Sequence, residues 1–165
     1  MFISSLQGGG AERVMSELAN ELTRRGHPVC IVTYLADAST DFYSLDPQIE
    51  RIAIDAGPPA KTSAGRFWRI IRIVGALRRL LRDRRPGVAL AFMESANVML
   101  VLAALGMRLR IVVCERIDPS MNVTVPAVWK LGRRLLYRCA DIVIAQTDAA
   151  AQWLRENCQV KVTVL

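Results

Sequence analysis

A chain of 165 residues that is 52% hydrophobic and 22% charged has the apolar content for a core of its own and is no disordered tail. Its net charge of +7 is local: setting aside the eight Arg and one Asp of Arg66–Arg85 leaves 14 cations and 14 anions, so the global charge says little about partners. A lone histidine, His27, excludes multi-histidine metal centres, and four scattered cysteines (Cys30, Cys114, Cys139, Cys158) without C-x-x-C read as reduced thiols of a cytosolic chain, not a disulfide framework.

The start, Met1-Phe-Ile-Ser-Ser-Leu-Gln-Gly, has no basic or long apolar region and is not a secretory signal. Phe2–Ser5 predicts a short strand. Gly8-Gly9-Gly10 follows, then a helix in which Val14, Leu18 and Leu22, with Ala11, Met15 and Ala19, recur at helical spacing. Gly26 ends that helix as a left-handed cap and Pro28 blocks its continuation, which leaves His27 a turn role. Val29–Leu35 is a strand, 37–47 a polar loop, and Ile49–Ile54 alternates as an edge strand does. Gly57-Pro58-Pro59 breaks the chain before a long basic helix, Thr62–Arg85, ended by Pro86.

Gly87–Met107 is long enough to span a bilayer and carries one charge in 21 residues. That charge, Glu94, sits in its middle beside Ser95 and Asn97, where a carboxylate costs about 2.5–3.5 kcal/mol to insert. The segment therefore predicts a buried strand (Val88–Met93), a polar turn and a buried helix (Asn97–Gly106). Arg110–Cys114 is a strand, Ile117–Thr124 a loop, Pro126–Cys139 a helix, Asp141–Ala145 a strand, Asp148–Asn157 a helix and Lys161–Leu165 a strand. Trp129 and Trp153 fall at helical packing positions.

Strands alternating with helices, several of the strands uniformly apolar, predict an α/β, doubly wound, mostly parallel Rossmann-like sheet of about seven strands with helices on both faces. Residues 1–165 read as one such domain. Both ends fall on or near a strand, as if cut from something larger.

Ligands of such sheets bind beyond the carboxyl ends of the strands. The candidate site residues are therefore those that follow each strand: Gly8, Gly9 and Gly10; Glu94, Ser95 and Asn97; Glu115 and Arg116; Gln146 and Thr147. Glycines at a helix start let backbone N–H groups approach an anion such as a diphosphate, or simply make a tight turn. Carboxylates and amides suit hydroxyl-rich ligands, although Ser95, Asn97 and Thr147 equally suit helix capping. Neither charge of Glu115-Arg116 belongs at the end of a buried strand without a task. The triplet is neither G-x-G-x-x-G, since position 13 is Arg, nor a Walker loop. No metal and no cofactor is implied.

These residues resemble glycosyltransferase family 4, retaining enzymes of the GT-B fold. Ser4-Ser5-Leu6-Gln7-Gly8-Gly9-Gly10-Ala11-Glu12-Arg13-Val14 is similar to that family's opening, and Glu115-Arg116-Ile117-Asp118-Pro119 and the stretch Leu136–Thr147 to segments of one branch. The resemblance implies the N-terminal, acceptor-side half of a two-domain enzyme. Gly8–Gly10 would face the diphosphate of a nucleotide-sugar donor and the acceptor, with Glu94, Ser95, Glu115, Arg116 and Gln146 on the same wall. Many relatives carry a histidine after the fifth strand, where this chain has Cys114-Glu115-Arg116. No Glu-x7-Glu pair is present, so the donor domain that carries it is expected to be absent and residues 1–165 alone inactive. A stand-alone Rossmann-like binding or regulatory module without turnover is the competing reading.

On the basic helix Ile70, Ile73, Val74, Leu77, Leu80 and Leu81 share one face, while Arg72, Arg78, Arg79 and Arg82, with Trp68, occupy the other. A cationic face with an aromatic suits an anionic membrane surface, and a plain solvated face is the alternative. No nucleic-acid signature accompanies it. The family's acceptors are often lipid-linked sugars at the cytoplasmic face, which implies bacterial polysaccharide or lipopolysaccharide synthesis by a protein peripheral to the inner face of the cytoplasmic membrane.

Overall fold

The computed structural model describes every residue except 36–38, 40, 58–59 and 122–124. The chain gathers into two compact units, Met1–Arg79 and Leu80–Leu165. The 37–47 loop, the Gly57-Pro58-Pro59 break and the Ile117–Thr124 loop lie partly outside the described residues.

In the first unit, helix α1 (Gly10–Arg24) is followed by strands β1 (Cys30–Thr33) and β2 (Glu50–Ala53), which pair in parallel, Cys30 opposite Glu50. Met15, Ser16 and Ala19 carry α1 onto the core, where Phe2, Ile3, Leu6 and Ile31 are also buried. The end of α1 follows its sequence. Gly26 at φ 81° donates to the Thr23 carbonyl at 2.9 Å, and the His27 N–H reaches the Leu22 carbonyl at 3.0 Å. Those bonds satisfy carbonyls the helix itself leaves open. The expected strand Phe2–Ser5 is reduced to a single parallel bridge between Phe2 and Val32. Its pairing stops because the Tyr34 and Leu35 N–H groups both turn to the Ser4 carbonyl, at 3.2 and 2.9 Å, which bends the ladder off register.

The loop after β1 is pinned from two sides. Arg51 on β2 grips Asp41 with two hydrogen bonds of 2.7 and 2.8 Å and adds a third, of 2.9 Å, to the Thr33 hydroxyl. Asn20 on α1 donates to the Ser44 carbonyl and accepts from the Asp46 N–H. Such a fork-to-carboxylate pair, nine-tenths shielded from water, is geometrically specific. It fixes Phe42 and Tyr43 beside the glycine turn.

Helix α2 (Ser63–Arg84) runs across the division between the units. Ile73, Leu77 and Leu81, spaced by four, are its buried positions, as the apolar periodicity predicts.

The second unit is a four-stranded parallel sheet in sequence order: β3 (Val88–Phe92), β4 (Arg110–Cys114), β5 (Ile142–Ala145) and β6 (Val162–Val164). Helices α3 (Glu94–Ala104), α4 (Ala127–Leu136, continued by a 3-10 turn over Tyr137–Cys139) and α5 (Asp148–Cys158) make the crossovers. The segment with bilayer-spanning length resolves into β3 and α3. Glu94 opens the helix directly, with no intervening turn, and eight of the eleven residues of α3 are buried. Among the described residues no helix is long and apolar enough to cross a membrane. Gly132 lets α4 close on α3: a Cβ there would stand 2.7 Å from a Val98 methyl.

The α/β architecture is as expected, with six strands among the described residues in place of about seven. The missing one is the N-terminal segment reduced to a bridge.

Candidate functional site

The first unit presents the glycine turn. Gly8, Gly9 and Gly10 are exposed, and α1 starts at Gly10. Only Gly8 requires glycine for its backbone, at φ 124°, with the Phe42 ring 3.6 Å from where a Cβ would stand. Gly9 is extended, at φ 167°. A Cβ on Gly9 would meet the end of the flexible Glu12 side chain, and one on Gly10 would meet nothing within 4 Å. Tyr43 holds the turn from the other side: its hydroxyl donates to the Gly9 carbonyl at 3.0 Å and accepts from the Gly9 N–H at 3.3 Å. The first N–H groups of α1 have no partner within the helix, and the helix dipole adds partial positive charge. The turn therefore leaves N–H groups of the first turn of α1 accessible, rimmed by Phe42 and Tyr43, two aromatics that no sequence motif singles out.

The second unit brings together Phe92, Arg116 and Gln146, from the ends of β3, β4 and β5. The Arg116 guanidinium lies 5.3 Å from the centre of the Phe92 ring. With the Gln146 amide turned so that both its groups are satisfied, its NH2 donates to the Arg116 carbonyl at 2.6 Å and its oxygen accepts from Arg116 Nη2 at 3.0 Å. An aromatic face beneath and an amide at its side hold the cation at the carboxyl end of the sheet. Glu94 and Ser95 are half-buried in the first turn of α3. Met93, which precedes them, takes φ 76°, a left-handed conformation that side chains rarely adopt. Its N–H still reaches the Cys114 carbonyl at 3.1 Å, so the strand-to-helix junction is locked to β4.

Three expected site residues do other work. Glu115 is 2% exposed, and its carboxylate accepts from Arg133 Nε at 2.8 Å and from the Tyr137 hydroxyl. Asn97, fully buried, donates to the Cys114 carbonyl at 3.0 Å and to the Tyr137 hydroxyl at 2.9 Å. These two side chains point inward, where they join α3, β4, α4 and the 3-10 turn. The task that the sequence demands for Glu115 is met inside the fold. Thr147 caps α5, accepting from the Ala150 N–H at 3.2 Å, which is the capping alternative. Burial pushes the Glu115 carboxyl above its usual range, against the lowering pull of Arg133 and Tyr137. Burial, reinforced by Glu115, likewise drives the Tyr137 phenol well up. Arg133 and Tyr137 carry no signal of this role in the sequence, since each occupies an ordinary helix position.

Among the described residues no cluster of His, Cys, Asp and Glu could hold a metal ion. All four cysteines are free thiols.

Parallel strands joined by helical crossovers define a Rossmann-like α/β class of protein. Residues 8–165 match the family model described as Glycosyltransferase Family 4, and the chain belongs to that family. A curated relative is GalNAc-alpha-(1->4)-GalNAc-alpha-(1->3)-diNAcBac-PP-undecaprenol alpha-1,4-N-acetyl-D-galactosaminyltransferase of Campylobacter jejuni. It is 27% identical over 142 residues, which cover 84% of this chain and 37% of that protein. Among solved structures, sucrose-phosphate synthase from Thermosynechococcus elongatus superposes with a TM-score of 0.80 at 14% identity, over 99% of this chain and 46% of that one. UDP-GlcNAc 2-epimerase from Neisseria meningitidis, bound to UDP-GlcNAc, gives a TM-score of 0.66 at 18% identity, over 99% and 45%. The chain thus spans less than half the length of each of these proteins.

Proposed function

We propose that the chain is the acceptor-side part of a glycosyltransferase that moves a sugar from a nucleotide-sugar to a glycan or lipid-linked acceptor. The family match carries this reading, and the positioned Arg116 gives it chemistry. A guanidinium held in place by Phe92 and Gln146 offers fixed positive charge to an acidic group without reorganising. The exposed turn at Gly8–Gly10 supplies N–H donors suited to a diphosphate. Glu94 and Ser95 supply acceptors and donors for hydroxyls. The Campylobacter relative is named for an undecaprenol-linked substrate, which favours a lipid-linked acceptor here.

The same reading includes contact with the anionic inner face of the cytoplasmic membrane through α2. Its exposed positions include Phe67, Trp68, Ile71, Arg72, Arg79 and Arg82, so an aromatic and aliphatic group accompanies the cations. Arg78, expected on that face, is half-buried.

The test is transfer of labelled sugar from a panel of nucleotide-sugars to undecaprenyl-linked and free glycan acceptors by the purified full-length protein. Residues 1–165 expressed alone serve as a second sample. Transfer by the full-length protein and none by residues 1–165 is the expected result. Saturable nucleotide-sugar binding with no transfer to any acceptor would favour a binding or regulatory module instead.

A further inference from the structure

We infer that the outward face of α4 is a second membrane-contacting surface, one that inserts apolar side chains among anionic phospholipid headgroups. Val128, Leu131 and Leu135 recur at three and four along this helix and are 55%, 58% and 59% exposed. They are not core residues left slightly open. The side of α4 that packs inward is marked by Gly132 against Val98, by the buried Arg133 and, in the following turn, by the buried Tyr137. The exposed stripe lies on another side of the cylinder.

Charge decides what covers it. From Pro119 to Ala140 the sequence has Lys130, Arg133, Arg134 and Arg138 and no acid at all. Arg133 is consumed by Glu115, while Lys130, Arg134 and Arg138 are exposed on the flank of the stripe. A cleft of about 400 Å3 beside them is lined by Ser120, Ala127, Lys130, Leu131, Arg134 and Trp153, so apolar and cationic side chains adjoin there. An apolar stripe flanked by cations is the composition of a helix lying in the plane of a membrane interface. A second copy of the chain would bring the same cations against themselves. Nucleic acid would leave three aliphatic side chains without a partner.

The surface adds to the one on α2. Contact through the arginines of α2 is screened by salt. Contact through Val128, Leu131 and Leu135, as through the exposed Phe67, Trp68 and Ile71 of α2, leaves a fraction that salt does not remove.

The experiment is co-sedimentation of purified protein with vesicles of phosphatidylcholine alone or with phosphatidylglycerol, at low and high salt. The arms are the parent, Leu131→Gln/Leu135→Gln, Lys130→Gln/Arg134→Gln, and an α2 variant with Arg72, Arg79 and Arg82 changed to Gln. Circular dichroism and gel filtration accompany each. The parent binds phosphatidylglycerol vesicles and keeps part of that binding at high salt. Leu131→Gln/Leu135→Gln keeps the parent's circular dichroism, loses part of the salt-resistant binding and binds about tenfold more weakly at low salt, as does the Lys130/Arg134 variant at low salt. The α2 variant loses only salt-sensitive binding. Parental binding by both α4 variants overturns the inference and leaves α2 as the contact. A parent dimer that Leu131→Gln/Leu135→Gln dissociates also overturns it, since a second copy then covers the face. Absence of vesicle binding by the parent overturns both surfaces together.

Discussion

The Glu115 carboxylate at the end of β4 and the Arg133 guanidinium in α4 meet at 2.8 Å with side chains only 2% and 3% exposed, and the Tyr137 hydroxyl closes on the same oxygen. Removing one partner strands the other charge in the core, which costs about 3–5 kcal/mol, whereas replacing both with apolar groups is often neutral. Arg133→Met should therefore lower the melting temperature sharply, and Glu115→Leu/Arg133→Met should recover most of the loss. Thermal denaturation of the parent and the two variants checks this. A role for Glu115 in ligand binding would instead leave stability high and reduce affinity.

The same pair sets a pH dependence. Burial raises the Glu115 carboxyl in the folded chain, so the folded state holds that proton more tightly than the unfolded state. Its contribution to stability is then greatest in acid and declines as pH rises from the ordinary carboxylate range, about 4.3, through the raised folded value. Glu115→Gln should flatten that decline in urea titrations run between acid and neutral pH. A decline of equal size in the variant would assign it to another group.

Most of the fold is legible because it rests on short-range chemistry. Arg110–Cys114 has the bounds its apolar run predicts, Val88–Phe92 ends one residue short of them, and Gly26 caps α1 where a glycine beyond the last turn must. Phe2–Ser5 fails as a strand because its pairing depends on carbonyls and N–H groups of β1 that no local pattern encodes. The site is legible only as an address. Position after a strand places Glu115 and Arg116 at the end of β4, yet adjacent residues on a strand end point to opposite sides. Which of the two turns inward is decided by Arg133 and Tyr137, 18 and 22 residues away. A periodicity argument sees the apolar stripe of α4 but not which of its sides packs on α3.

The cysteines offer a direct test of burial. Burial is the main cause that pushes the Cys158 thiol up to about 11, and it raises Cys114 as well, while Cys139 is exposed. Since the thiolate is the reactive form, Cys139 should take up iodoacetamide at pH 8 well before the other two, which should react only after denaturation. Peptide mass spectrometry after timed alkylation reads this out. Early labelling of Cys158 would mean that α5 does not stay packed.

Arg116 separates binding from stability. Its half-buried cation rests on Phe92 and Gln146, and methionine keeps the apolar stem, so Arg116→Met should change the melting temperature little. If it faces an acidic ligand group, loss of the charge should weaken nucleotide-sugar or acceptor binding by about tenfold or more, the scale of one charge-assisted hydrogen bond. Gln146→Leu should give a smaller loss, because it frees the guanidinium without removing it. Titration calorimetry with nucleotide-sugars, beside steady-state transfer rates, shows whether the loss falls on donor, acceptor or neither. Unchanged binding and turnover would remove Arg116 from the site.

The glycine turn makes the sharpest distinction, because its three residues are not equivalent. Gly8 alone occupies a φ that disfavours side chains, with the Phe42 ring 3.6 Å away, so Gly8→Val should cost stability, by roughly 1–3 kcal/mol for a strained backbone. Gly10 has open space around the missing Cβ and lies in the first turn of α1, so Gly10→Ala should leave the melting temperature unchanged or slightly raised. The two substitutions then divide structure from function. A diphosphate seated on the N-terminus of α1 needs close approach to the backbone, and a methyl at position 10 stands in that space whether or not the fold notices it. Gly10→Ala should therefore weaken nucleotide-sugar binding while the protein remains as stable as the parent. If Gly10→Ala binds and turns over like the parent, no ligand approaches that backbone, and the glycines at 9 and 10 serve only the turn.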